Sequence, residues 1–341
     1  MSEIVLGFNA RISFPDGGAE QALKDGIELF RVAEQLGFGT GWVYQRHFDN
    51  YLASPLTFLS AVAQHTERIG LGTAIIGMRY EDPVLLAEAA GTADLLSGGR
   101  LQLGMSTGQG GYDALFGQPR SDGRAQAQDR LHRFLACVRG EVVGTVDEPG
   151  GMVAVGTPLR VRPHSPTLPA RLWYGGGSVE SARRVGEQGL RLLLSTILSG
   201  DIPDFGAELS RAISAYRAAH PTPARSRAAV ARSVLPASSP ELARVYAAYD
   251  AERRRFGPAA SRPSGALDPV AAHSHRFTMS PVHHGDPSAV LDQLRADPSV
   301  AEAEELICFL PPAFGLRENL RLLEDLAETV RLVPTFGHPK V

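Results

Sequence analysis

The chain has 341 residues, 43% apolar and 21% charged, and 34 basic against 37 acidic side chains give a formal charge of −3. This is the balance of a globular chain with a sizeable core, and it supplies no bulk attraction toward nucleic acid or an anionic membrane as partner. Lys24 and Lys340 are the only lysines and neither completes a Gly-x-x-x-x-Gly-Lys, which excludes a P-loop. Cys137 and Cys308 are too few for a disulfide framework or a four-thiolate zinc site. No apolar run reaches about 18 residues, and no basic segment followed by a long apolar one opens the chain. A cytoplasmic protein in a reducing compartment is the expectation.

The first 110 residues alternate between two periods. Ile4 to Asn9 is a short apolar run suited to a buried strand, and Ala19 to Leu36 carries Leu23, Ile27, Phe30 and Ala33 at helical spacing, with Gly37 placed to stop the helix. Trp42 to Tyr44 reads as a second strand and Pro55 to His65 as a second helix. Ile69 to Ile76, Pro83 to Leu96 and Arg100 to Met105 then read as strand, helix and strand. The rhythm lapses from about 112 to 170, where the spacing predicts one helix over Ala125 to Val138 and a small hairpin around Met152 to Val161. It resumes with strand Leu172 to Tyr174, helix Ser178 to Gln188, strand Leu190 to Ser195, helix Phe205 to Ala219 and a strand over Ala228 to Leu235. Residues 237–285, rich in Pro, Ala, Ser, Arg and His, read as an irregular excursion with a helix at about 240–255. Helix Pro287 to Leu294, strand Glu305 to Leu310 and helix Leu316 to Val330 close the pattern. Eight strands alternating with helices predict one α/β domain over 1–341, a (β/α)8 barrel with insertions after strand 4 and after strand 7. A doubly wound sheet is disfavoured, because no Gly-x-Gly-x-x-Gly turn follows the first strand.

In such a barrel the reactive groups sit at the carboxyl ends of the strands. Strand two ends in Tyr44-Gln45-Arg46-His47-Phe48, an imidazole beside aromatic surface. Strand three offers the small residues Gly72-Thr73-Ala74 before Ile75, where a flat ring can pack. Strand four runs into Ser106-Thr107-Gly108-Gln109-Gly110-Gly111, two hydroxyls on a backbone that can bend around an anion. Strand five runs through Gly175-Gly176-Gly177 into Ser178, a helix cap whose neighbouring N–H groups and dipole favour a dianion. Two such loops on neighbouring strands point to a phosphate-bearing cofactor. His273-x-His275 with His283-His284 lies in the irregular segment away from any carboxylate pattern, so no metal is expected. Arg253-Arg254-Arg255 reads as a solvated helix face.

Several stretches are similar to the bacterial luciferase-like, flavin-dependent monooxygenase superfamily: Leu36-Gly-Phe-Gly-Thr-Gly-Trp-Val-Tyr-Gln-Arg-His47-Phe48, Thr66-Glu-Arg-Ile-Gly-Leu-Gly-Thr73, Leu95-Leu-Ser-Gly-Gly-Arg100-Leu-Gln-Leu-Gly104 and Gly175-Gly-Gly-Ser178-Val-Glu-Ser. The resemblance implies a (β/α)8 barrel, a homodimer, and FMN as cofactor or, in one branch, the deazaflavin coenzyme F420. It also implies a non-proline cis peptide behind the ring, at Ala74–Ile75 here. Many members carry Glu-His-His-Phe where this chain has Gln45-Arg46-His47-Phe48. The first histidine, catalytic in luciferases proper, is thus Arg46, whereas His47 resembles the active-site histidine of the deazaflavin branch. Several FMN-binding members have an arginine for the phosphate where this chain has Thr107.

The expected activity is that of a two-component monooxygenase using reduced FMN, delivered by a separate flavin reductase, and oxygen on a small organic substrate. The alternatives are hydride transfer with F420 and a non-catalytic flavin-binding role. His47 is expected to move a proton and Arg46 to supply a fixed positive charge, toward an anionic substrate or the reduced flavin. Ser106, Thr107, Gly176, Gly177 and Ser178 are expected at the phosphate, Ala74 and Ile75 against the ring, and Phe8, Asn9 and Tyr112 toward substrate.

Overall fold

The computed structural model describes residues 4–14, 18–108, 110–118, 123–149, 152–256 and 277–331. Strand–helix units follow one another: β1 (Val5–Ala10), α1 (Ala19–Leu36), β2 (Thr40–Val43), α2 (Pro55–Ala63), β3 (Gly70–Gly77), α3 (Pro83–Leu96), β4 (Leu101–Ser106) and α4 (Gly123–Val138). A small hairpin, β5 (Gly144–Thr145) with β6 (Pro158–Leu159), precedes β7 (Leu172–Gly175), α5 (Val179–Glu187), β8 (Arg191–Leu194), β9 (Ile197–Ser199) and α6 (Phe205–Ala219). The chain continues through β10 (Ala228–Pro236), α7 (Pro240–Phe256), β11 (Phe277–Met279), β12 (Val282–Gly285), α8 (Pro287–Ala296), α9 (Pro298–Glu302), β13 (Glu305–Phe309) and α10 (Leu316–Arg331).

Eight of these strands close on themselves in the order β1-β2-β3-β4-β7-β8-β10-β13. Every neighbouring pair is parallel, and β13 returns to β1 with Val5 opposite Glu305 and Phe8 opposite Cys308. Closure leaves the barrel strands no free edge on which another chain could pair. It also sorts side chains by parity. On β1, Phe8 points outward and meets Phe30 of α1 edge-on, with ring centroids 5.0 Å apart, while Asn9 points into the lumen. The lumen is floored by Trp42, Trp173, Leu193, Ala229 and Ile307, all buried.

The helix ends follow ordinary chemistry. Gly37 stops α1 in the left-handed conformation at φ 93°, and Asp82 caps α3 by accepting from the N–H groups of Val84 and Leu85. Arg100 donates to the carbonyls of Ala63, Thr66 and Ile69, satisfying the chain as it leaves α2 for β3.

Several features depart from the expected pattern. Arg254 is exposed as a solvated helix face requires, but Arg253 is buried and donates to the Ser280 carbonyl. The hairpin pairs Gly144–Thr145 with Pro158–Leu159, so its first strand lies upstream of Met152. Part of the excursion expected over 237–285 is regular: β12 extends the parallel pairing of β10, and β11 pairs antiparallel with β9. The sequence hides β12 because His283 and His284 replace the apolar residues of a buried strand. Residues 257–276, with His273 and His275, lie outside the described residues, as does Gln109. Among the described residues no helix is long and apolar enough to cross a membrane, and no group of three or more His, Cys, Asp and Glu could hold a metal ion.

His283 is 5% exposed beside the Arg232–Asp297 ion pair. Burial, then repulsion from Arg232, pushes its pKa from 6.5 down to about 4, against the pull of Asp297. The unfolded chain therefore binds the extra proton first, and stability falls as pH drops from about 6.5 toward 4. Urea titrations over that range should show a loss of roughly 3 kcal/mol that is mostly absent in His283→Gln. An equal slope in the variant would assign the loss to other groups.

Candidate active site

The carboxyl ends of the barrel strands open into three adjoining cavities. The first, about 330 Å³, lies over the floor and is bounded by Asn9, Arg11, Tyr44, Ala74, Ile75, Gly175, Gly176 and Gly177. Its β3 wall is built by an interrupted ladder. The β3–β4 register shifts between Thr73 and Ile76, the Ala74–Ile75 peptide is cis, and the Thr73 hydroxyl both donates to Gly104 O and accepts from Gly104 N, at 2.8 and 2.9 Å. Any Cβ at position 104 would run into the Thr73 carbonyl. Asn9, 5% exposed, leaves its Oδ1 without a hydrogen-bond partner among the described residues. The Arg11 guanidinium lies 4.8 Å from the ring centroids of both Tyr44 and Phe309.

The second cavity, about 310 Å³, shares Tyr44, Ile75 and Ser106 with the first and is lined further by Arg46, His47, Tyr80, Thr107 and Tyr112. His47 has ring neighbours, Phe116 at 5.0 Å and Tyr80 at 6.2 Å, and no hydrogen bond among the described residues. Arg46 pairs with Asp49 at 3.0 Å and reaches Tyr44 Oη at 3.5 Å. Burial opposes its charge, yet Tyr44, Asp49 and Tyr112 outweigh burial and hold its pKa above the usual arginine value.

The third cavity, about 350 Å³, borders the first through Gly175 and Gly177 and the second through Thr107. Its lining is polar: Arg124 and Gln128 from α4, Ser178 and Ser181 from the start of α5, and Arg184 from its last turn. A capping box closes that helix end. Ser178 Oγ accepts from Ser181 N, and Ser181 Oγ accepts from Ser178 N at 2.9 Å. Both hydroxyls thus serve the cap, and the Gly176 amide is spent on Leu193 O. The remaining first-turn N–H groups, the dipole and two arginines still favour an anion there.

The structure brings Asn9, Ala74, Ile75, Ser106, Gly176 and Gly177 together at the first cavity, Arg46, His47, Thr107 and Tyr112 at the second, and Ser178 at the third. Phe8 is not among them: it is fully buried between barrel and helices, because its parity on β1 is opposite to that of Asn9. Sequence reasoning missed Arg11, Tyr80, Arg124, Gln128, Ser181 and Arg184. Ser181 carried a signal, since it stands three residues after a serine cap. The cations of α4 and α5 carried none, as only the closed barrel brings both to one cavity.

A family model described as luciferase-like monooxygenase matches residues 6–299. Limonene 1,2-monooxygenase from Rhodococcus erythropolis is 36% identical over 134 residues, which is 38% of this chain and 34% of the relative, so the matched part spans about a third of that protein. Two solved structures share the fold over nearly their whole lengths. The F420-dependent tetrahydromethanopterin reductase from Methanopyrus kandleri has a TM-score of 0.66 at 18% identity, covering 98% of this chain and 100% of that one. The oxygenating constituent of 3,6-diketocamphane monooxygenase from Pseudomonas putida, solved with FMN, has a TM-score of 0.68 at 18% identity, covering 96% and 97%. With the family model spanning most of the chain and the barrel closed as the sequence pattern expects, this protein belongs to the luciferase-like monooxygenase family and is an enzyme.

Proposed function

We propose that the protein is the oxygenase component of a two-component monooxygenase, binding FMN reduced by a separate reductase and acting with oxygen on a small organic substrate. The observation that carries this reading is the polar third cavity, lined by Arg124 of α4 and by Ser178, Ser181 and Arg184 of α5 and its cap, opening through Gly175 and Gly177 onto the largely apolar Ala74–Ile75 wall. A flat ring joined by a polyol to a phosphate has that succession of chemistries.

The residues fit such a group. A Cβ at Gly177, which lines both the first and third cavities, would meet nothing within 4 Å, and Asn9 Oδ1 is a buried acceptor with no donor among the described residues, which a ring N–H would provide. Ala74 and Ile75 would back the ring, and Arg124, Arg184 and the amides of α5 would hold the phosphate. When bound and reduced, the flavin supplies the electrons that divide dioxygen between substrate and water. The chain's own part is to orient both molecules, exclude water and hold a proton at His47, whose ring nitrogens are both left for a ligand. F420 carries a phosphate as well, and the absence of an arginine at Thr107 keeps hydride transfer as the second reading. Mass spectrometry of the copurifying cofactor distinguishes them.

Gly177→Leu should fold as the parent does, since a Cβ there meets nothing within 4 Å, and should lower FMN affinity by at least about 10-fold by filling space shared by the first and third cavities. Arg124→Gln should weaken FMN by roughly 10- to 150-fold, the usual range for a lost charge-assisted hydrogen bond. Fluorescence titration measures both; parental affinity in both would place the phosphate elsewhere. His47→Asn should keep FMN binding and lower turnover by roughly 10²- to 10⁴-fold. Normal turnover would remove His47 from the mechanism.

A further inference from the structure

The second cavity has an unusual wall. Four of its lining side chains are rings, Tyr44, His47, Tyr80 and Tyr112, and they are backed rather than isolated. Phe116 stacks on Tyr80 with centroids 4.5 Å apart and planes 15° from parallel, and Tyr112 donates its N–H to Tyr80 Oη at 2.9 Å. Phe48 meets Tyr112 at 5.1 Å although it is 64% exposed and held at φ 53°, a left-handed conformation that a bulky residue rarely adopts. An exposed ring in such backbone gains little from core packing, so its place on the rim calls for another partner.

The charges around this wall are cancelled pair by pair. Arg46 lies 3.0 Å from Asp49, and Arg79, beside Tyr80, lies 2.7 Å from Asp113. Each cation is matched to one carboxylate at short range, so a ligand carboxylate entering here would compete with an anion already in place. This goes against the expectation that Arg46 attracts an anionic substrate.

We infer that the second cavity binds an uncharged, planar aromatic ring system, stacked against the Tyr80–Phe116 wall with an edge toward His47, and that this is the substrate class of the enzyme. The inference rests on the flavin reading, in which the first cavity holds the ring of the cofactor and the second lies beside it across Ile75. Aromatic walls favour a flat partner through offset and edge-on contacts, while a flexible alkyl chain gains only area.

The test uses the full chain, with and without saturating FMN, and three probes: 2-naphthol, uncharged at pH 7; 2-naphthoate, the same rings with a carboxylate; and decan-1-ol, uncharged and flexible. Calorimetric titration should find 2-naphthol bound at least about 10-fold more tightly than either of the others. Tyr80→Leu and Phe116→Leu should each weaken 2-naphthol by about 3- to 10-fold and leave FMN affinity within about 2-fold. Asp49→Asn uncovers the Arg46 charge and should tighten 2-naphthoate by about 10-fold without changing 2-naphthol. A parent that prefers 2-naphthoate or decan-1-ol, or 2-naphthol binding indifferent to both ring variants, would overturn the inference. Failure of FMN to bind while the probe pattern holds would instead overturn the flavin reading and leave the aromatic cavity standing.

Discussion

The Trp42–Trp173 contact sets the depth of everything above it. The two indoles meet edge-on across the lumen with centroids 5.5 Å apart, and each is fixed by its ring N–H: Trp42 Nε1 donates to Glu305 at 2.8 Å, and Trp173 Nε1 to Gln102 at 2.9 Å. Arg191 lies over the Trp173 ring and donates to the same Gln102 oxygen. Burial pushes the Glu305 carboxyl pKa up, against the hydrogen bonds from Thr40 and Trp42. Gly72 is the matching concession on β3, because any side chain there would collide with the Trp42 ring. Were this layer thinner, the mouth would be a funnel with no fixed bottom; as built, Leu193 and Ile307 are at once core residues and the lower wall of a cavity.

Charge at the mouth is arranged by the same economy of position. Arginine is nearly the sole cation in this chain, and its planar head lets it lie on rings as well as pair with carboxylates. Arg11 sits against Tyr44 and Phe309. Arg46 and Arg79 are matched to carboxylates, and Arg124 and Arg184 line one polar chamber, Arg184 also pairing with Glu180 at 3.3 Å. The result is a division of the mouth into a polar end lined by arginine and serine and an aromatic end whose charges are paired.

The barrel was legible in the sequence because each unit repeats a local signal: an apolar run, a turn, then helical spacing closed by Gly37 or opened by Asp82. The strand ends were legible for the same reason, and through them Ala74, Ile75, Thr107 and Gly177. Phe8 was misplaced because a continuous apolar strand does not announce its parity; only the partner helix, bringing Phe30, decides which side faces out. The arginines of α4 and α5 stayed hidden for a different reason. They are 60 residues apart in sequence and come together only as lining of one cavity at the mouth, which no local pattern encodes. His283 and His284 masked β12, since a strand that pairs beyond the rim of the barrel need not be apolar throughout.

The three chambers share walls: Ile75 stands between the first and second, Gly177 between the first and third, and Thr107 between the second and third. A partition held in common has two faces, so no substitution in it reshapes one chamber alone: a larger side chain at position 107 changes the aromatic chamber and the polar one together.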